Sequence, residues 1–261
     1  EKVKKLGDMT KWIIQAWGVP IHVIEEYAAR SFKNPTYLNH AWLVGVSDPT
    51  NELPEGHVYV PGMGEYHEYH NHLFVSGTPC VEPSDARLWP VANKVKGKGI
   101  EFLSKLDFGM IVFANPKSSS DLSMAETIGR DYDGDLFFVL YDDELLNHMK
   151  KPNNFLSRSE KAANRFQTQP KQNRNWLATG QSAMQDVAGM QLRHQLIQEM
   201  HGKWKKATTS GVVDDENVAH YGKAYKQALD IGKHGGKVTL PKTLHANHSE
   251  SICRFLKGVS P

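Results

Sequence analysis

Across 261 residues the chain is 39% hydrophobic and 23% charged, the proportions of a protein that buries one large core or two small ones. They exclude a disordered tail, a collagen-like chain and a disulfide-stapled miniprotein, and no apolar run approaches the roughly 18 residues of a membrane span; the longest is Leu136–Tyr141. The net charge of +2 conceals an imbalance: residues 150–206 hold eleven Lys or Arg against three acidic residues, a local +8 that leaves −6 elsewhere. This basic stretch, laced with Trp176 and Trp204, suits either the solvated faces of helices or contact with a phosphate backbone. Cys80 and Cys253 are too few and too distant for a disulfide framework or a zinc site, which points to a reducing, intracellular compartment. The chain opens on Glu1 with no signal peptide, so the expectation is a piece of something longer or a start that was removed.

Residues 8–33 read as two short helices broken at Gly18-Val19-Pro20, with Ile13, Ala16, Trp17, Ile24, Tyr27 and Ala28 on their apolar faces. Short β-rich runs follow at Ala41–Val46, His57–Val60, Leu73–Val75, Met110–Ala114 and Leu136–Tyr141, punctuated by Gly, Pro, Asn and Asp. Helices do not alternate with these runs, which argues against a parallel α/β sheet. After Asp142 the pattern is helical again, with Asp142 or Asp143 as N-cap and Glu144 at the positive end of the helix dipole. Further helices are expected at about 181–206 and at about 214–230, behind Asp214-Asp215, with a polar loop over 152–180. The class is therefore α+β, divided into N-terminal helices (1–39), a β-rich core (40–150) and a basic helical region (151–261).

The most informative residues are Asp131-Tyr132-Asp133-Gly134-Asp135. Two carboxylates about 4 Å apart repel by roughly 4 kcal/mol at an effective dielectric of 20. A fold that gathers three must protonate one, supply cations or let them diverge. Alternation with Tyr132 and Gly134 predicts three aspartates on one side of an extended segment, and Gly134 permits a tight loop. Hard oxygen donors without His or Cys suit Mg²⁺, which accepts few protein carboxylates and completes its shell with water and substrate phosphates. An EF-hand loop would need Gly and Glu where the chain has Leu136 and Asp142. An acidic turn leading into Leu136-Phe137-Phe138-Val139 remains the alternative; the apolar strand would anchor a catalytic loop equally well.

The run Gly129-Arg130-Asp131-Tyr132-Asp133-Gly134-Asp135-Leu136-Phe137-Phe138-Val139 resembles the catalytic signature of the cellular, silencing-type RNA-dependent RNA polymerases of eukaryotes. Further blocks are similar to that family in the same order: Leu43–Pro49 with Leu53–Val60, then Pro79–Arg87, then Ala228–Gly235. The resemblance implies a double-psi β-barrel carrying Asp131, Asp133 and Asp135 as ligands of Mg²⁺ or Mn²⁺. It implies nucleotidyl transfer from NTPs on an RNA template with release of pyrophosphate, and places Arg87 and Lys233 as candidates for nucleotide or RNA phosphate. It also implies a partner barrel, N-terminal in the same polymerase, that supplies basic residues; without it this chain is expected to be inactive. Departures are Glu82-Pro83-Ser84-Asp85 in place of a His-Pro-Gly-Asp run, Arg130 in place of a small residue, and Lys233-His234-Gly235 in place of Lys-Thr-Gly. A degenerate RNA-binding copy and a DNA-templated polymerase core are the rival readings.

Other motifs carry less. His67, His70 and His72 fall in an expected hairpin loop over Gly62–His72 and lack a convincing ligand set. Asp107-Phe108-Gly109 has no kinase catalytic segment before it, and no glycine-rich phosphate loop is present. Asp142-Asp143-Glu144 is read as a helix cap in preference to a second metal site, and ordinary surface pairing with Asp85 or Asp230 stands as the equal alternative to Arg87 and Lys233 facing phosphate.

Overall fold

The computed structural model describes residues 8–33, 39–63, 71–92, 98–106, 109–118, 121–150, 195, 197–208, 216–234, 238 and 244. The chain forms two compact units, 1–163 and 164–261.

Six strands build the first unit. They are β1 (His40–Ser47), β2 (Val58–Tyr59), β3 (His72–Gly77), β4 (Ala86–Pro90), β5 (Met110–Phe113) and β6 (Leu136–Leu140). They form one sheet in the order β2-β5-β1-β6-β3-β4. All pairings are antiparallel except β1 with β5, where Val44 lies opposite Met110. The two edges nearly meet: Val58 of β2 bridges Val91 just after β4, and Ala92 N–H donates to Val58 C=O at 2.9 Å. A sheet rolled this way has almost no open edge. Its interior is lined by Leu43, Val75, Ile111, Phe113, Phe137 and Val139, each at most 1% exposed. Phe137 fills the space beside Gly45, where an added Cβ would lie 2.2 Å from its ring.

Three of the expected strands agree closely with β1, β5 and β6. The run His57–Val60 shortens to two residues in β2, while Leu73–Val75 lengthens into β3. Strand β4 was not foreseen; Ala-Arg-Leu-Trp-Pro has no clean apolar alternation, and it forms because β3 offers it a full antiparallel register. The short helices α3 (Lys98–Leu103) and α4 (Met124–Thr127) also escaped the sequence, being too brief for a helical period to register.

The opening helices are as expected: α1 (Asp8–Ala16) and α2 (Ile21–Lys33), separated at Gly18, whose φ is +89°. Both belong to the same compact unit as the sheet. Trp17 donates from Nε1 to Pro83 C=O at 3.0 Å and stacks edge-on against Phe74. Tyr27 Oη is 2.7 Å from His40 Nδ1. Beyond β6, Asp142 caps α5 (Asp143–His148), its Oδ1 accepting from Leu145 N–H at 3.1 Å and its Oδ2 from Asn39 at 2.9 Å. The cap reading of Asp142 therefore holds, and Glu144 pairs with Arg30 of α2.

In the second unit, α6 (197–208) and α7 (Glu216–His234) are helical. They meet through His201, which stacks on Tyr225 with centroids 5.3 Å apart. The expected loop over 152–180, the first half of the helix expected from 181, the caps Asp214-Asp215, and His67 and His70 lie outside the described residues. No helix among the described residues is long and apolar enough to cross a membrane.

Candidate metal centre

Asp131, Asp133 and Asp135 occupy the loop that enters β6. Each offers one carboxylate oxygen to a cluster whose members all lie within 4.8 Å of one another. Asp131 and Asp133 are exposed and Asp135 is half-buried. The backbone is not the extended segment the alternation suggested. It bends through Tyr132–Gly134, with Gly134 at φ +114°, a conformation that a residue with a Cβ adopts only under strain. The bend is what brings the carboxylates together. Asp133 N–H points to Asp131 Oδ1, and Asp131 N–H to Asp135 Oδ2, both at 3.4 Å.

Buried contacts hold this exposed loop from behind. Helix α4 begins with a reciprocal cap: Ser123 Oγ accepts from Glu126 N–H at 3.2 Å, and Ser123 N–H donates to Glu126 Oε2 at 2.8 Å. Its C-terminal end is closed by Arg130 N–H on Ala125 C=O at 3.0 Å. Tyr132 turns inward, against the aspartates' direction. Its ring packs 5.7 Å from that of Phe113, its hydroxyl accepts from Ala125 N–H at 3.4 Å, and burial pushes its pKa up. On the far side Gly45 N–H donates to Asp135 C=O at 3.2 Å, and β6 then runs between β1 and β3.

Arg130 lies across the loop's base. Its Nη1 is 3.7 Å from Asp135 Oδ2 and its Nη2 is 3.4 Å from Pro79 C=O. Arg87 leans on carbonyls: Nη1 donates to Ser84 and Ala86 C=O at 2.8 and 2.9 Å, and Nη2 to Thr127 C=O at 3.1 Å. Burial pushes its pKa down to about 10, against the opposing charge of Asp85, which leaves it charged at neutral pH. Asp85 accepts from Val81 and Glu82 N–H at 3.0 Å each. Arg87 thus joins the start of β4 to the end of α4, the helix that carries the acidic loop. Lys233 lies in the last turn of α7, and its side chain is outside the described residues.

The donor set fits a hard divalent cation. Around an ion with oxygen ligands at about 2.1 Å, neighbouring ligand oxygens lie roughly 3–4 Å apart, so a triad already within 4.8 Å needs only small side-chain movement. It contains no His or Cys, which disfavours softer metals. The residues that the sequence did not single out are those behind the loop. Tyr132 could have been noticed from its alternation with the aspartates, and Ser123 and Glu126 from their Ser-x-x-Glu capping spacing, whereas Gly77 has no signal without the fold.

The family model for RNA dependent RNA polymerase matches residues 39–252, and the chain belongs to that family. Among solved structures it is similar to the RNA dependent RNA polymerase QDE-1 from Thielavia terrestris, with a TM-score of 0.53 and 15% identity over 94% of this chain. The match spans 29% of that chain's length. No curated protein sequence matches.

Proposed function

We propose that this chain is the metal-binding catalytic part of an RNA-templated RNA polymerase of the silencing type, and that its nearly closed sheet is a double-psi barrel. The observation that carries the reading is the convergence of Asp131, Asp133 and Asp135 within 4.8 Å, at the foot of a central strand, in a chain of this family. The three carboxylates hold Mg²⁺ or Mn²⁺. When bound, such an ion lowers the pKa of the attacking hydroxyl and neutralises charge on the transferred phosphoryl group. The chain's own contribution is positioning. Tyr132 and the capped α4 fix the loop's depth, Gly134 allows its bend, and β6 keeps Asp135 in register with the sheet. This is the kind of catalysis that needs no nucleophilic side chain.

RNA template and NTPs are the partners in this reading, and an upstream barrel of the same polymerase supplies the basic residues that complete the site. Arg87 and Lys233 stay as its candidate phosphate-facing cations, with Arg87 acting chiefly through the Thr127 carbonyl it holds. The test is incorporation of labelled NTPs on single-stranded RNA by the chain joined to such an upstream barrel. Asp133→Ala is expected to lower the rate by about 10³-fold or more, with circular dichroism unchanged. Undiminished synthesis by that variant would refute the assignment. Salt-dependent RNA binding without synthesis by the parent protein would favour the degenerate copy.

A further inference from the structure

We infer that Arg130 is a resident counter-cation of the aspartate triad, one that occupies Asp135 in the absence of metal and weakens the triad's intrinsic affinity for a divalent ion. The inference rests on the metal-binding reading above and concerns a residue that departs from the pattern the chain otherwise resembles.

Its basis is the way the side chain is seated. The stem of Arg130 lies on Gly77 at the end of β3, where an added Cβ would fall 2.6 Å from Cγ and 2.9 Å from Nε. Only a glycine leaves that room. The side chain is just 17% exposed, and its Nε is buried with no hydrogen-bond partner among the described residues. A guanidinium is not deprotonated at neutral pH, so a buried, unsatisfied N–H must be compensated by charge. The compensating group is Asp135, 24% exposed and 3.7 Å from Nη1. Pro79 C=O contributes a long contact at 3.4 Å.

Two consequences follow. The guanidinium reduces three negative charges to a net −2, which lets the loop stay bent with no ion present. A divalent cation drawing on Asp135 Oδ2 then meets a positive group a few ångströms away, and cations at that range repel. The pair is also too long for tight bidentate pairing, so Arg130 can be displaced by a stronger cation or drawn off by an anionic ligand. Arg130 is therefore a positioning residue acting through Asp135.

Calorimetric titration of Mn²⁺ into the 261-residue chain tests this. Arg130→Gln is expected to bind Mn²⁺ about tenfold more tightly than the parent, and Arg130→Lys, which keeps the charge, to stay near the parent value. Gly77→Ala, which crowds the stem off its seat but leaves the charge, should tighten binding in the same direction by a smaller factor; it also serves if Arg130→Gln does not fold. Unchanged or weaker binding in both Arg130→Gln and Gly77→Ala overturns the inference. Asp133→Asn separates the two claims. If it abolishes Mn²⁺ binding while the Arg130 and Gly77 variants match the parent, the metal centre stands and the counter-cation role falls. If Asp133→Asn binds as the parent does, the metal-centre reading falls and takes this one with it.

Discussion

Asp48 and Asp85 sit in turns, as Asp131, Asp133 and Asp135 do, yet their surroundings are opposite. Asp48 is 2% exposed and Asp85 not at all. Asp48 accepts from Thr50 N–H, Thr50 Oγ1 and Leu53 N–H at 2.7–2.9 Å, and Asp85 accepts from two backbone N–H groups at 3.0 Å. Their charge is neutralised from within, by short charge-assisted hydrogen bonds that order the turn. The triad has N–H contacts at 3.4 Å and two of its three carboxylates exposed. A carboxylate whose oxygens are engaged by the backbone is a structural part; one facing outward beside two others offers its oxygens to a cation. One Asp beside turn-forming residues does not reveal its kind in the sequence; the spacing of three within five residues does.

The contrast predicts unequal costs of removal. Asp85→Ala strands the N–H groups of Val81 and Glu82 in a buried site and should lower stability by about 3 kcal/mol. Asp131→Ala removes one of three like charges from an exposed loop and should stay within about 0.5 kcal/mol of the parent without metal. Urea midpoints at unchanged m-value report the difference. Equal losses at the two positions would mean that the triad is as structural as Asp85.

Much of this architecture was legible in the chain. The break at Gly18–Pro20 announced α1 and α2, the run Leu136–Tyr141 announced β6, and the five-residue acidic motif was visible at once. What could not be read were features created by pairing across long separations. Strand β4 exists through its register with β3. Arg87 has a neighbour in Thr127 only because the sheet brings β4 to the end of α4. The bend of the acidic loop was also hidden, since strict alternation suits an extended strand and a bent loop alike, and only the anchoring of Tyr132 on Phe113 and Ala125 decides between them.

A smaller effect separates the two kinds of turn further. Gly134 has φ +114° with nothing within 4 Å of an added Cβ, so Gly134→Ala acts through backbone strain alone, about 1–2 kcal/mol or some 3 °C in melting temperature. Gly56, at φ +75° and equally open, gives a comparable penalty in a turn that carries none of the three aspartates. Both variants should lose stability, but only Gly134→Ala should also weaken Mn²⁺ binding, because the bend is what gathers the carboxylates. Unaltered Mn²⁺ affinity in Gly134→Ala would show that they converge without that bend.

The smallest effect concerns the side of the sheet where α2 packs, which carries a titrating group with no cation to serve. His40 is half-buried, with Nδ1 2.7 Å from Tyr27 Oη and its ring 5.4 Å from that of Phe138, and burial lowers its pKa from 6.5. On acidification the unfolded chain therefore takes up this proton before the folded one does. Its contribution to stability is complete above about pH 6.5 and is lost as the pH falls from there through the lower folded value. Between about pH 7.5 and about pH 5.5, the urea midpoint of the parent should fall further than that of His40→Gln, which keeps a hydrogen-bonding side chain but cannot titrate. A slope untouched by His40→Gln would show that His40 does not carry the pH dependence.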